Sequence, residues 1–269
     1  MRFLKILMTV CIAIYLTAFV ALTVMQRGFI FPASDGSEME AINWQAIKGQ
    51  DRFFIETEDG ETLSAWYQPP QAGKPVFMFF HGNGGRLDLM KWRWQRIMKE
   101  GHGIFTLSYR GYPGSTGSPS EEGLINDARA GWKWLSAKHQ PDDIIIHGLS
   151  LGSGVATALA TEVDAKALIL EAPFSAVVDV AAENFPIFPT RWVIRDKFLS
   201  RERIAKVNMP LLVVHGTEDS VIPFHLGEKL FKRAVEPKQF IAMKGSDHST
   251  LVRDGVYPLI WGYLAGLGS

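Results

Sequence analysis

The most reactive pattern in this chain is built around a serine. Gly148-Leu149-Ser150-Leu151-Gly152 follows directly on the apolar run 144–146 and leads into the small-residue stretch Ser153-Gly154-Val155-Ala156. Glycines on both sides of a serine, between a strand and a helix, permit a sharp strained turn that holds the hydroxyl out at the carboxyl edge of a sheet. The same five residues read more plainly as a Gly-rich turn packing a helix on a strand. A serine hydroxyl is a weak nucleophile at neutral pH, so the chemical reading demands a base within hydrogen-bond reach and a carboxylate that fixes the base's tautomer.

Seven histidines compete for the base. A nucleophile elbow of this kind requires the chain order Ser, acid, His, which sets aside His81, His102, His139 and His147. His215, in His215-Gly216-Thr217-Glu218-Asp219, reads as a strand-end histidine that bonds backbone, and His225 as a surface residue at a helix start. His248, in Gly245-Ser246-Asp247-His248-Ser249, follows the apolar stretch 240–243 and precedes the last helix, in a loop at the same sheet edge. It is the expected base. The expected acid is Asp219, in the turn between run 211–214 and Val221-Ile222-Pro223, with Glu218 and Asp247 as competitors. A tetrahedral intermediate needs two donors, and the amide after the nucleophile, on Leu151, supplies one. The second is expected from Asn83, in the loop His81-Gly82-Asn83-Gly84-Gly85 after Val76–Phe80. As a phosphate cradle that loop lacks the G-x-x-x-x-G-K-[ST] pattern, and no dinucleotide fingerprint is present.

These groups meet only if several strands end at one edge. Residues 52–57 and 62–68 flank the turn Glu58-Asp59-Gly60-Glu61 and read as an antiparallel hairpin. After it, apolar runs of strand length (76–80, 104–107, 144–146, 167–170 and 211–214) alternate with helix-like stretches (87–100, 120–139, 153–162 and 224–234). Strand alternating with helix predicts an α/β fold: a mostly parallel sheet covered on both faces. Ser120-Glu121-Glu122-Gly123 supplies an N-cap with acidic first-turn residues. Residues 172–208 carry Phe174, Phe185, Phe188, Trp192 and Phe198 among prolines and are expected to form a small cap over the site. Trp92/Trp94 and Trp132/Trp134 are i, i+2 pairs on helices, so one of each is expected in the core and the other at an edge or membrane surface. Arg110 is expected to tie loop carbonyls together, a substrate-carboxylate clamp being the sharper alternative.

Composition narrows the rest. Twenty-eight Lys plus Arg balance 28 Asp plus Glu, so no basic surface is available for a nucleic-acid backbone. Hydrophobic residues at 47% exclude disorder. The single cysteine, Cys11, lies in the N-terminal apolar stretch, which excludes disulfides, zinc thiolates and a Cys nucleophile from the remaining chain. No metal or organic cofactor is implied. Residues 6–25 carry no charge, and twenty residues at about 1.5 Å each span about 30 Å, a bilayer's hydrocarbon thickness. The length favours an uncleaved anchor over a cleaved signal, which would release a secreted enzyme. Arg2 and Lys5 precede the span, which predicts a cytoplasmic N-terminus and a catalytic domain outside the cytoplasm. The expected organisation is an anchor over 1–27, a polar connector over 28–50, and one domain over 51–269.

Taken in order, His81-Gly82-Asn83-Gly84, Ser108-Tyr109-Arg110-Gly111-Tyr112, Ser115-x-Gly117-x-Pro119-Ser120, the elbow, His215-Gly216-Thr217-x-Asp219-x-Val221-Ile222-Pro223 and Asp247-His248 resemble the membrane-anchored ABHD-type serine hydrolases of the α/β-hydrolase superfamily, nearest to the Bem-type group. The resemblance runs from about residue 50 to the C-terminus, and the anchor is shared. It implies the α/β-hydrolase fold, a Ser150, Asp219 and His248 triad, and hydrolysis of acyl esters or thioesters. It leaves the substrate open, since such relatives include lipid hydrolases, protein deacylases and peptidases. Ser108 departs from the Asp that relatives often carry before Tyr-Arg-Gly. Dehalogenases and epoxide hydrolases share the outline but place Asp at the elbow, and a scaffold that keeps the fold without catalysis needs the Ser, Asp and His set to be accidental.

Overall fold

A computed structural model describes residues 1–32, 51–85 and 87–267. The chain runs from a long helix α1 (Arg2–Ile30) into the hairpin β1 (Asp51–Glu56) and β2 (Thr62–Gln68), then β3 (Val76–Phe80), α2 (Lys91–Lys99), β4 (Gly103–Leu107), α3 (Glu121–Ser136), β5 (Ile144–Leu149), α4 (Leu151–Leu159) and β6 (Ala167–Glu171). Three short helices follow, α5 (Val177–Asn184), α6 (Thr190–Val193) and α7 (Ser200–Arg203), before β7 (Leu211–Gly216), α8 (Phe224–Phe231), β8 (Lys238–Met243) and α9 (Val256–Gly266). The strands form one sheet in the order β1-β2-β4-β3-β5-β6-β7-β8. β2 is antiparallel to β1 and to β4, and every later pair is parallel. This is the mostly parallel, doubly covered sheet that the alternating runs predict, and the α/β-hydrolase architecture that the resemblance implies.

The continuous apolar runs mark strands with both faces covered: β3, β4, β6 and β7 are buried at every position. On one face Leu124 and Leu135 of α3, Val155 and Leu159 of α4 and Leu226 of α8 pack on Met78, Phe105, Ile146 and Leu170. On the other, Trp94 and Ile97 of α2 and Val256 and Ile260 of α9 pack on Phe77, Phe79, Ile145 and Leu212. α3 begins where its cap predicts, with the Ser120 hydroxyl accepting from the Gly123 amide at 3.1 Å. Gly131 faces the sheet so closely that a Cβ there would lie 2.7 Å from Leu107.

That contact explains one departure. Trp94 is buried and Trp92 exposed, as expected of the first pair, but Trp132 and Trp134 are both half-buried. They flank Gly131 on opposite sides of the helix's contact line, and Trp134 stacks on Phe53 with centroids 4.4 Å apart. The connector 33–50 lies outside the described residues. α1, however, runs three residues past Arg27, and Ile30 and the buried Phe31 pack into the hydrophobic core on the α3–α4 side of the sheet. α1 is long and apolar enough to cross a membrane.

A buried charge network crosses the second face. Arg93 of α2 donates to both carboxylate oxygens of Glu171 at 2.7 Å, and Glu171 also accepts from His147 Nε2 at 2.7 Å. All three side chains are essentially sealed from water. Burial alone would raise the Glu171 carboxyl, and the Arg93 charge and the His147 bond outweigh it, lowering the pKa from 4.5 to about 2.

Candidate active site

Ser150 sits between β5 and α4 with φ 51° and ψ −119°, a left-handed conformation that a non-glycine residue adopts only under strain. The turn closes because its neighbours have no side chains. A Cβ on Gly152 would lie 2.2 Å from the Phe80 carbonyl oxygen, and one on Gly148 would lie 2.5 Å from that of Gly152. α4 therefore starts at Leu151, immediately after the serine and two residues before the small-residue stretch.

The His248 Nε2 stands 3.1 Å from the Ser150 Oγ, and its Nδ1 stands 2.8 Å from the Asp219 Oδ2. The other oxygen of Asp219 accepts from the amides of Val221 (2.9 Å) and Ile222 (2.7 Å). Burial would raise this carboxyl, but bonds from His215, His248 and Ile222 hold it well below the usual carboxylate range. Asp219 is thus ionised and fixed, as an orienting acid must be. The competitors are placed elsewhere: Asp247 accepts from the Ser220 amide at 2.8 Å, and Glu218 is exposed.

His215 has a second contact that sequence reasoning missed. Its Nε2 lies 3.0 Å from the Ile222 carbonyl, as a strand-end histidine's would, and also 3.2 Å from the Asp219 Oδ2. The signal was its i, i+4 spacing from Asp219 across a tight turn. His225 is exposed and pairs with Glu183.

The glycine-rich loop after β3 runs beside the serine. A Cβ on Gly82 would be 3.4 Å from that of Ser150, and Asn83 and Leu151 both line the cavity of about 170 Å³ in front of the hydroxyl. His81 braces this loop. Its Nδ1–H donates to the Gly82 carbonyl at 2.8 Å, its ring packs on Tyr109 with centroids 4.1 Å apart, and burial lowers its pKa to about 4, so the imidazole is neutral. Arg110 ties the next loop down, but through carboxylates and not the expected carbonyls: it bonds Asp127 through Nε (2.8 Å) and Asp59 through both terminal nitrogens (2.7 and 2.9 Å). These partners leave it no clamp for a substrate. The unexpected Ser108 is buried and donates to the Pro113 carbonyl at 2.9 Å.

The aromatics of 172–208 divide. Phe174 and Phe185 line the Ser150 cavity, Phe188 lines a neighbouring one, Phe198 packs in the core, and Trp192 is 88% exposed. Phe29 and Ile30 of α1 also reach the Ser150 cavity, a contribution foreshadowed only by the apolar run Phe29-Ile30-Phe31 beyond Arg27. Among the described residues, no three His, Cys, Asp or Glu side chains gather as a metal site.

Residues 75–209 match the family described as alpha/beta hydrolase fold. An uncharacterized protein of Mycobacterium tuberculosis is 37% identical over 199 residues, 72% of this chain and 71% of its own length. Lysophosphatidylserine lipase ABHD12 of Gallus gallus is 31% identical over 241 residues, 73% of this chain, with 62% of its own length covered. Among solved structures, the alpha/beta hydrolase GrgF from Penicillium sp. sh18 has a TM-score of 0.67 at 17% identity, covering 81% of this chain and 97% of that one. The esterase EaEST from Exiguobacterium antarcticum has a TM-score of 0.61 at 19% identity, covering 79% and 98%. At such identities the structural likeness speaks to the fold alone.

Proposed function

This chain belongs to the α/β-hydrolase family, ABHD type, and within that family of hydrolases we propose that it cleaves carboxylic esters through an acyl intermediate on Ser150. One observation carries the reading: a strained serine whose hydroxyl meets His248, which in turn meets a buried, doubly anchored Asp219. Ser150 Oγ attacks the acyl carbon while His248 Nε2 takes its proton. The backbone amides of Asn83 and Leu151 hold the oxyanion. His248 returns the proton to the leaving alcohol, then takes one from the water that releases the acid. Asp219 keeps the imidazole's Nδ1 protonated throughout. A serine-directed fluorophosphonate tests this directly, with covalent labelling mapped to Ser150 as the expected result. An unlabelled or differently labelled protein would sink it.

The apolar walls around Ser150 support an acyl group as the substrate's larger part. Apart from Asn83, Ser150 and Asn184, the cavity is lined by apolar side chains. Each methylene held there in the transition state adds about 0.8 kcal/mol. Hydrolysis of p-nitrophenyl esters is therefore expected to rise from acetate to octanoate, and Phe185→Ala and Phe188→Ala to flatten that rise. A chain-length series on kcat/KM checks this, and an equally steep rise in both variants would remove the acyl site from the cap. The lysophosphatidylserine lipase relative supports a single-chain lipid ester as the class.

The enzyme is anchored by α1, with residues 51–269 as one domain capped over 172–208. Arg2 and Lys5 at the start of α1 favour a cytoplasmic N-terminus. A C-terminal reporter active only outside the cytoplasm should then be active, and a silent, well-expressed fusion would place the domain inside.

A further inference from the structure

Helix α1 and the cap meet along about three turns of the helix. Gln26 of α1 is buried, donates to the Val193 carbonyl at 3.2 Å and accepts from the Arg195 amide at 2.8 Å, while Arg27 pairs with Asp196 at 2.9 Å. Eleven residues back along the helix, the Tyr15 hydroxyl donates to the Ile187 carbonyl at 3.0 Å, and Tyr15 and Phe19 stack on Phe188. Eleven residues of helix rise about 16 Å. Arg27 is the first charge after the apolar stretch, so it marks the bilayer surface on the catalytic side. Ile187 and Phe188 then lie about halfway through a hydrocarbon core roughly 30 Å thick.

The cap tip is built for that depth. Residues 184–190 carry no charge, and Ile187 and Trp192 are 70% and 88% exposed, large apolar side chains with no protein over them. Irregular backbone in hydrocarbon must satisfy its own polar groups. Here most of the backbone groups are satisfied: Pro186 and Pro189 have no N–H, the amides of Phe185, Phe188 and Thr190 bond the carbonyls of Ala181, Phe185 and Phe188, and the Ile187 carbonyl is taken by Tyr15, which leaves chiefly the Ile187 amide and the Pro186 carbonyl. The nearby Arg191 lines a polar groove with Lys197, Arg201 and Lys229, back toward headgroup level.

Between α1 and the cap runs an apolar cavity of about 80 Å³. It shares Phe29, Ile30, Val177, Ala181 and Phe185 with the cavity that opens on Ser150. The two cavities abut across these shared side chains, one against the flank of α1 and the other against the candidate nucleophile, so small movements of the shared walls would join them into a corridor.

We infer that the cap tip over 185–192 is sunk into the leaflet beside α1, and that the corridor between them admits the acyl chain of a bilayer-resident ester sideways to Ser150. The corridor's role rests on the reading of Ser150 above; the insertion does not. Two measurements on the full chain, reconstituted in phosphatidylcholine vesicles, separate them. An environment-sensitive fluorophore on Ile187→Cys, in a Cys11→Ser background, should be quenched by nitroxides on lipid acyl chains and shielded from aqueous iodide. Iodide quenching would overturn the insertion whatever Ser150 does. Ile187→Asp combined with Trp192→Ser, which line neither cavity, should lower hydrolysis of a vesicle-resident long-chain fluorogenic ester on the order of tenfold by driving the tip out of hydrocarbon. Turnover of p-nitrophenyl butyrate in detergent should be retained. Equal loss on both substrates, or none on either, would overturn the corridor. A wild type inactive on both would refute the Ser150 reading and the corridor with it, leaving the label to decide the insertion.

Discussion

Ser150→Ala is expected to lower kcat/KM for p-nitrophenyl butyrate by about 10⁴-fold or more, the loss that follows removal of an activated nucleophile. The residual rate would come from the oxyanion donors and binding alone. His248→Ala should fall nearly as far, because the Ser150 hydroxyl would face no other base: His215 is committed to the Ile222 carbonyl and the Asp219 carboxylate. Combining the two substitutions should add little, as groups acting in one proton transfer are not additive. His215→Ala should lose much less, since Asp219 keeps its two backbone amides and its bond to His248. A His215→Ala loss as deep as that of His248→Ala would reverse the assignment of base, and an active, pure Ser150→Ala protein would move the nucleophile elsewhere.

Arg93→Met should produce the largest loss of stability among single side-chain changes distant from the serine, about 3–5 kcal/mol, because it strands a buried carboxylate. Glu171 would keep only His147 as a partner. In a domain of this size the unfolding midpoint should fall by about 10 °C or more, measurable by differential scanning fluorimetry in detergent. A fall of only a degree or two would mean that water or a rearranged side chain takes the place of Arg93. The same pair sets an acid limit. The Glu171 pKa is depressed from 4.5 to about 2 in the fold, so its contribution is fully present above about 4.5 and is lost as pH falls toward 2. Glu171→Gln should flatten the stability profile over that window.

The sheet and the serine, aspartate and histidine could be read from the chain because they obey local rules. An apolar run followed by a glycine-flanked serine specifies a strand, a turn and a helix within a dozen residues, and chain order then restricts the partners to strand ends. What the sequence hid is what depends on distant partners. Arg110 binds Asp59 and Asp127, far apart in sequence, and no pattern distinguishes them from solvated charges. His147 and Glu171 interrupt or end apolar strands while Arg93 looks like one of several basic residues on α2, and their mutual neutralisation exists only after folding. Helices α5, α6 and α7 are too short to display a period, so 172–208 showed only composition. The packing of Tyr15 and Phe19 on Phe188 belongs to the same group: a membrane helix reads as apolar all round, and nothing local reveals which face meets protein.

The backbone at Ser150 sets a limit on how stable this chain can become. Among the described residues, three non-glycine residues have positive φ: Ser150 (51°), Ala172 (45°) and Phe198 (41°). Each holds about 1–3 kcal/mol of strain. Ala172 directly follows β6, and Phe198 lies between α6 and α7 with its ring packed against Phe31 and Phe174, so the strain falls at the ends of strands and in the cap segment. Glycine would relieve the strain at any of them. At position 150 it would also remove the hydroxyl, so stability and reactivity compete at one residue, and a lineage released from selection for activity would gain by giving up the serine first.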